Sequence, residues 1–251
     1  MGVYLKNDTE IEYMRQAGGM VRVAMKEIES RLAPGMTTMD IEQLAQKTIK
    51  GLGGEGSFNT VPGYSWFTCT PVNNQIVHTP PSSYVLKSGD VLTVDIGAQV
   101  KGWHVDHAQT WTIGDGHSEE IHTFLEAGKR ALKLALAEFK IGNRLGHVSD
   151  KMGLTIKKAG YHIVEPLVGH GVGRSVHEEP SAPGYLDRPI EKTMKIVQGL
   201  TMAIEVIYAM GTNEMEYEAG SDWSIVTADG SLAAQFEHTI VVSSRGVEIL
   251  T

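Results

Sequence analysis

Gly89-Asp90-Val91-Leu92-Thr93-Val94-Asp95 and Gly199-Leu200-Thr201-Met202-Ala203-Ile204-Glu205 read as one strand written twice. In each, a glycine opens an apolar, β-branched-rich run, and an acid stands six residues on among Val and Ile. A carboxylate inside a buried strand is costly unless it is paired or holds a metal. Two such acids in register read as ligands of one site.

The doubling extends outward from these strands. Asp106-His107-Ala108 and Glu237-His238-Thr239 each place an acid, a histidine and a small residue before an apolar run. Ala17-Gly18 and Ala127-Gly128 stand 110 residues apart, as Gly89 and Gly199 do, and the turns at Pro34-Gly35 and Ile141-Gly142 are offset by 107. The offset from Asp106 to Glu237 grows to 131, so the second half carries an insertion before Glu237. The chain is expected to be two homologous halves facing a shared site. Thr9 with Glu12 resembles a capping box for a first helix running to about Leu32, and Thr37 with Asp40 starts a second that closes at Gly51, Gly53 and Gly54. Residues 55–77 mix Gly, Pro, aromatic and β-branched residues, as strands and a substrate-facing loop would. Ser118 caps a third helix with Leu125, Leu132, Leu136 and Phe139 on one face, and a fourth spans about Val148 to Ala159. Helices gathered before strands in each half predict an α+β architecture, one catalytic domain over residues 1–251.

Composition narrows the function. A chain of 251 residues, 41% hydrophobic, can bury one large core. The net charge of -8 argues against binding driven by nucleic-acid phosphates, and two divalent ions held by carboxylates would bring it to about -4. The lone cysteine, Cys69, excludes an internal disulfide and fits a reducing compartment. Met1-Gly2 opens like an acylation site, but Lys6 stands where Ser or Thr is wanted. Without a leader or an apolar span, the protein is expected in the cytoplasm, away from membranes.

Asp95, Asp106, His170, Glu205 and Glu237 form a plausible metal set. Four carboxylates with one imidazole suit intermediate divalent ions such as Mn, Fe(II) or Co, whereas structural zinc favours Cys and His. Such a dinuclear site has the chemistry that amide hydrolysis needs. Taken singly, Asp106 or Glu237 reads equally well as a capping or paired acid.

The chain resembles the type I methionine aminopeptidases, of the pita-bread metallopeptidases that also include prolidase and aminopeptidase P. The resemblance runs nearly end to end. Its motifs are Val72-Asn73-Asn74-Gln75-Ile76-Val77-His78, Val94-Asp95-Ile96-Gly97, Asp106-His107-Ala108, Gly169-His170-Gly171-Val172-Gly173-Arg174, His177-Glu178-Glu179-Pro180, Ile204-Glu205, and Ala234-Gln235-Phe236-Glu237-His238-Thr239-Ile240-Val241-Val242. It implies a pita-bread fold and two divalent ions per chain, drawn from Co, Mn, Fe(II) and Zn. Asp95, Asp106, His170, Glu205 and Glu237 match the ligands, with Asp106 bridging. It further implies that Glu205 exchanges protons with a metal-bridging hydroxide, that His78 hydrogen-bonds the substrate backbone and that His177 contacts the scissile carbonyl. By chemistry alone, either histidine reads equally well as one holding a loop.

The implied reaction removes the N-terminal methionine of nascent proteins when the second residue is small. Its partners are nascent N-termini, with the ribosome a candidate, and the repeat makes a dimer unnecessary, so a monomer is expected. Only 32 residues separate Glu205 from Glu237, which leaves no room for the helical insertion of type II enzymes. The first helix begins close to the start, so neither an N-terminal zinc-binding extension nor a prolidase-type N-domain is expected. Tyr64, Cys69 and Trp223 match positions around the methionine side chain. Phe58, Val61 and Val176 depart from the usual small residue or cysteine, tyrosine and phenylalanine, and Val206 replaces a proline. These departures keep an X-Pro-type or broader aminopeptidase as the alternative, with a non-catalytic, ribosome-associated binding protein a second. Cys69 reads as a pocket wall rather than a reactive thiol.

Overall fold

The fold follows from where the caps and turns fall. In the computed structural model, which describes residues 2–115 and 117–251, four helices and thirteen strands succeed one another. Met1 of the Met1-Gly2 opening lies outside the described residues. Helix α1, Asp8–Glu29, starts from Asn7, whose side chain accepts the amides of Thr9 and Glu10 while Glu10 accepts the Asn7 amide at 2.9 Å. The capping box is therefore Asn7 with Glu10, two residues before the expected Thr9 with Glu12, since asparagine caps as well as threonine. The helix also stops at Glu29, short of Leu32, as the chain turns toward Pro34, which bars its predecessor from helical geometry. Helix α2, Thr38–Gly51, carries the Thr37 and Asp40 box as expected.

Strands β1 (Glu55–Gly56), β2 (Thr68–Cys69), β3 (Gln75–Val77), β4 (Val91–Val100) and β5 (Trp103–Thr112) complete the first half. Helix α3, Glu119–Glu138, is capped by Ser118. Helix α4, Leu145–Lys158, begins three residues before the expected Val148. Its start is hidden in sequence because the imidazole of His147 accepts the Arg144 amide at 3.1 Å, and the hydroxyl that accepts the Gly146 amide, Thr193, is 47 residues away. Strands β6 (His162–Ile163), β7 (Val168–Gly171), β8 (Glu178–Pro183), β9 (Thr201–Ala209), β10 (Met215–Tyr217), β11 (Ile225–Thr227), β12 (Ala233–Ser243) and β13 (Gly246–Ile249) follow.

All pairings are antiparallel. One sheet runs β1-β4-β2 with β5 also on β4, and a larger one runs β13-β12-β9-β7-β8 with β6 on β9. Strands β10 and β11, the insertion of the second half, join β3 in a small third sheet. Each half packs its helix pair on its own sheet: α1 and α2 cover β4 and β5, and α3 and α4 cover β9 and β12. Isolated bridges Thr37↔Val85 and Arg144↔Lys195 recur at the offsets read from the sequence. Gly89 and Gly199, both at positive φ, turn the chain into β4 and β9.

The halves meet where β5 runs beside β12. Here threonine hydroxyls replace a strand ladder: Thr239 accepts the Asp106 amide at 2.9 Å and donates to its carbonyl at 2.8 Å. Thr110 does the same for Gln235 at 3.1 and 2.7 Å. The histidines of the repeated triplets, His107 and His238, stack across this seam at 4.6 Å. Among the described residues no helix is long and apolar enough to cross a membrane.

Gly18 is where α1 crosses the C-terminal segment. A Cβ there would stand 2.1 Å from the Leu250 carbonyl oxygen, so backbone must move. Gly18→Ala is expected to destabilise by about 1–3 kcal/mol, the cost of overpacking, despite a helix-propensity gain of about 1 kcal/mol. Gly51→Ala, which meets nothing within 4 Å, keeps that gain. Urea midpoints of the two variants, read at unchanged slope, check the contrast.

Candidate active site

The repeated acids converge because side chains two apart on a strand share a face. Asp95 on β4 pairs with Ala108, and Asp106 on β5 pairs with Gly97, so the two aspartates are diagonal neighbours. Glu205 on β9 stands directly opposite Glu237 on β12. His170 enters from β7, paired to Ala203 of β9. All thirteen residues named from the sequence as ligands, catalytic groups or pocket walls line one cavity of about 370 Å³.

Within it, His170 Nε2 lies 3.9 Å from an Asp106 oxygen and 3.8 Å from a Glu205 oxygen. Its Nδ1 is 3.0 Å from the Gly171 carbonyl and donates to it, so Nε2 presents a lone pair to the carboxylates. An imidazole lone pair thus faces two carboxyl groups, the arrangement of a ligand set. Asp106, His170 and Glu237 each offer a donor atom within 4.8 Å of the others. One oxygen of Asp95 and one of Glu237 are buried without a hydrogen-bond partner among the described residues.

Electrostatics points the same way. Burial raises the Asp106 carboxyl to about 7, and burial together with the Asp106 charge raises Glu205 to about 8. Asp95 and Glu237 are pushed well up, by burial first and then by their acidic neighbours. His170 cannot neutralise them, since burial, with nearby His177, lowers it to about 3. The acids therefore hold protons in the metal-free protein and ionise together only beside a cation from outside the chain. An oxygen-rich cluster with one imidazole and unpartnered oxygens fits divalent metal.

Gln235, which was not singled out from the sequence, donates to Glu205 at 3.0 Å and to Glu237 at 3.1 Å and fixes both carboxylates. Its position two residues before Glu237 was the available signal. Ile207, two residues after Glu205, lines the cavity by the same periodicity, and Val77, Pro166, Leu167 and Val168 line it near the predicted His78 and His170.

The apolar part of the cavity clusters Phe58, Tyr64, Cys69 and Val176, with Val61, Trp66 and Trp223 against them. Trp223 sits edge-on to Tyr64 at 5.0 Å and arrives on the insertion of the second half. The Tyr64 hydroxyl donates to the Thr68 carbonyl at 2.8 Å and lies 3.1 Å from Cys69 Sγ. Burial, then the nearby Asp95, drives the Cys69 thiol well up, which suits a wall and not a nucleophile. Behind this wall Glu42 on α2 accepts the amides of Phe67 and Thr68, each at 2.9 Å, and pins β2. A glutamate on an amphipathic helix reads from sequence as a solvated face, so this one gave no signal. Val206 pairs with Phe236 inside an unbroken β9 and is buried, so the strand does not exit there and Glu205 keeps its aim into the cavity.

His78 and His177 also line the cavity. His78 holds φ at 60°, a left-handed backbone that costs on the order of 1–3 kcal/mol and concentrates at functional sites. Burial, then proximity to His177, lowers His78 to about 4, and burial lowers His177. Both rings are neutral at physiological pH and have an N–H to donate.

An antiparallel, two-halved α+β fold enclosing a metal-competent acid cluster defines a pita-bread metallohydrolase. The chain belongs to metallopeptidase family M24, which matches it over residues 12–244. A methionine aminopeptidase of Clostridium acetobutylicum is 39% identical over 250 residues, covering 99% of this chain and 98% of that protein. The crystal structure of a methionine aminopeptidase from Thermotoga maritima superposes with a TM-score of 0.94 at 35% identity, covering 100% of this chain and 99% of the other. An X-Pro aminopeptidase from the same organism shares the fold alone, with a TM-score of 0.75 at 24% identity over 98% of this chain and 61% of that one.

Proposed function

We propose that this chain is a methionine aminopeptidase acting on the N-termini of nascent proteins whose second residue is small. The observation that carries the reading is the single cavity joining the acid cluster to an apolar recess. Asp95, Asp106, His170, Glu205 and Glu237 would hold two divalent ions, of Co, Mn, Fe(II) or Zn, with Asp106 the bridging ligand that the family resemblance implies. When bound, such ions supply Lewis-acid polarisation of a carbonyl and activation of water. The residues of the chain do the rest. Glu205 takes up and returns a proton at its carboxylate, as an acid placed beside the reacting groups can do. His177 donates its N–H to the scissile carbonyl oxygen, where charge develops, and His78 donates to the substrate backbone. The recess around Tyr64, Cys69 and Trp223 takes the methionine side chain, and the acidic cluster favours the free α-ammonium. The protein acts as a monomer in the cytoplasm, with the ribosome as the source of its substrates.

A second reading, a broader aminopeptidase, is favoured by one observation: Val61 and Val176 give the recess aliphatic walls. The metal-stripped protein, re-supplied anaerobically with Mn, Fe(II) or Co, decides between them. Metal-dependent release of methionine from Met-Ala-Ser but not Met-Lys-Ser is expected. Leu-Ala-Ser should be poorer by no more than roughly 1–3 kcal/mol, the discrimination that a methylene-sized misfit supplies. Cleavage of Ala-Pro-Ala in preference to Met-Ala-Ser would replace the first reading with an X-Pro activity. No cleavage with any metal would leave the binding-protein reading.

A further inference from the structure

The segment Tyr4–Lys6, ahead of the first helix, has no part in the site described above, yet it is tied to the loop that carries Val176 and His177. The Lys6 side chain is 1% exposed, and its ammonium donates to Glu178 at 2.6 Å and to the Tyr4 carbonyl at 3.1 Å. The other Glu178 oxygen accepts the amides of Arg174 and Ser175 at 2.5 and 3.1 Å, which closes the loop into a ring around Val176 and His177. The loop backbone packs directly on the Lys6 side chain, since a Cβ on Gly173 would stand 2.2 Å from Lys6 Cε. Arg174 lies over the Tyr4 ring at 4.2 Å and donates to its hydroxyl at 2.9 Å. The Lys6 amide meanwhile donates to the Gly199 carbonyl at 2.7 Å, at the turn that launches β9 toward Glu205.

One buried lysine therefore references the loop of His177 to the strand of Glu205. A buried ammonium is costly unless paired, so the pair holds a single geometry. We infer that Lys6 and Glu178 are positioning residues: through their ion pair, the N-terminal arm sets where His177 meets the substrate carbonyl and where Val176 closes the recess.

The inference rests on the aminopeptidase reading for its kinetic consequence, while its structural consequence stands alone. Lys6→Met is expected to speed hydrogen exchange of the Arg174 and Ser175 amides by about tenfold or more, leaving β9 and β12 amides unchanged. With metal affinity unaltered, kcat/KM for Met-Ala-Ser should fall by about tenfold to 100-fold, since a shift near 1 Å in a positioned group can cost about 100-fold. The preference for Met-Ala-Ser over Leu-Ala-Ser should narrow as Val176 loosens. Glu178→Gln should reproduce these effects, and the double variant should be no worse than the weaker single one, as for residues acting through one contact. Unchanged exchange at residues 174 and 175 in both variants, or additive losses, would overturn the inference. If the wild-type protein cleaves no methionyl peptide, the functional reading fails, and the exchange comparison still decides the role of the arm.

Discussion

Asp106→Asn is expected to cut peptide hydrolysis by about 1,000-fold and to weaken the loss of stability that the metal-free protein suffers as pH rises. Asp106 lies 3.9 Å from His170, groups with His170 and Glu237, and its charge raises Asp95, Glu205 and Glu237. An amide in its place keeps the shape but removes a charge and one donor oxygen. Merely altering a group that orients a ligand costs about 10–100-fold in metal affinity, so if Asp106 is a ligand its loss should cost at least about 100-fold. The several kcal/mol that metal ions contribute to such reactions convert, at about 1.4 kcal/mol per factor of ten, to a loss of about 1,000-fold in kcat/KM.

The stability effect has the opposite sign. Asp106 and Glu205 titrate in the folded protein near 7 and 8, above the ordinary carboxylate range. Over the window between, the unfolded chain has released protons that the folded chain retains, so metal-free stability falls as pH rises from about 4 to 8. Deleting one charge from the cluster relieves that loss. Metal-free Asp106→Asn should therefore unfold at a higher temperature than metal-free wild type at pH 8, and added Mn should raise its Tm far less. Calorimetric titration with metal and paired melting curves at pH 5 and 8 check both parts. Wild-type-like metal affinity or undiminished turnover would remove Asp106 from the centre of the site.

The site was legible where chemistry and periodicity coincide. Acids inside β-branched runs announced Asp95 and Glu205, and the repeat carried Asp106 and Glu237 with them. The insertion foreseen from the 131-residue offset is the stretch that forms β10 and β11 and brings Trp223 to the recess. What escaped was what tertiary contact alone supplies. Helix α4 starts on a cap from Thr193, Glu42 is buried because β2 offers it amides, and Lys6 is buried because Glu178 lies beneath it. In each, the deciding partner lies 25 to 172 residues away. The Asn7 cap was missed for a different reason: two overlapping boxes, Asn7 with Glu10 and Thr9 with Glu12, compete locally, and the upstream one forms.

His177→Ala separates chemistry from metal binding on the other side of the cavity. The His177 ring packs 4.3 Å from the His170 ring, yet His170 is oriented by the Gly171 carbonyl and keeps its tautomer when its neighbour is removed. Metal affinity should therefore stay within a few-fold of wild type. Turnover should not, because removing one donor to a developing oxyanion costs about 100- to 1,000-fold in kcat. KM should change little, as the interaction strengthens only when charge appears on the oxygen. Burial lowers the His177 pKa, so its neutral N–H form persists below the ordinary imidazole range, and the acid limb of kcat belongs to another group. His177→Gln, which supplies a neutral N–H from a similar reach, should recover part of the loss without moving the pH profile. A kcat within threefold of wild type in His177→Ala would show that the carbonyl oxygen is held elsewhere. Loss of metal would show that His177 supports His170 rather than the substrate. Either outcome would also take from the Lys6 and Glu178 pair its route to catalysis, which leads through this ring.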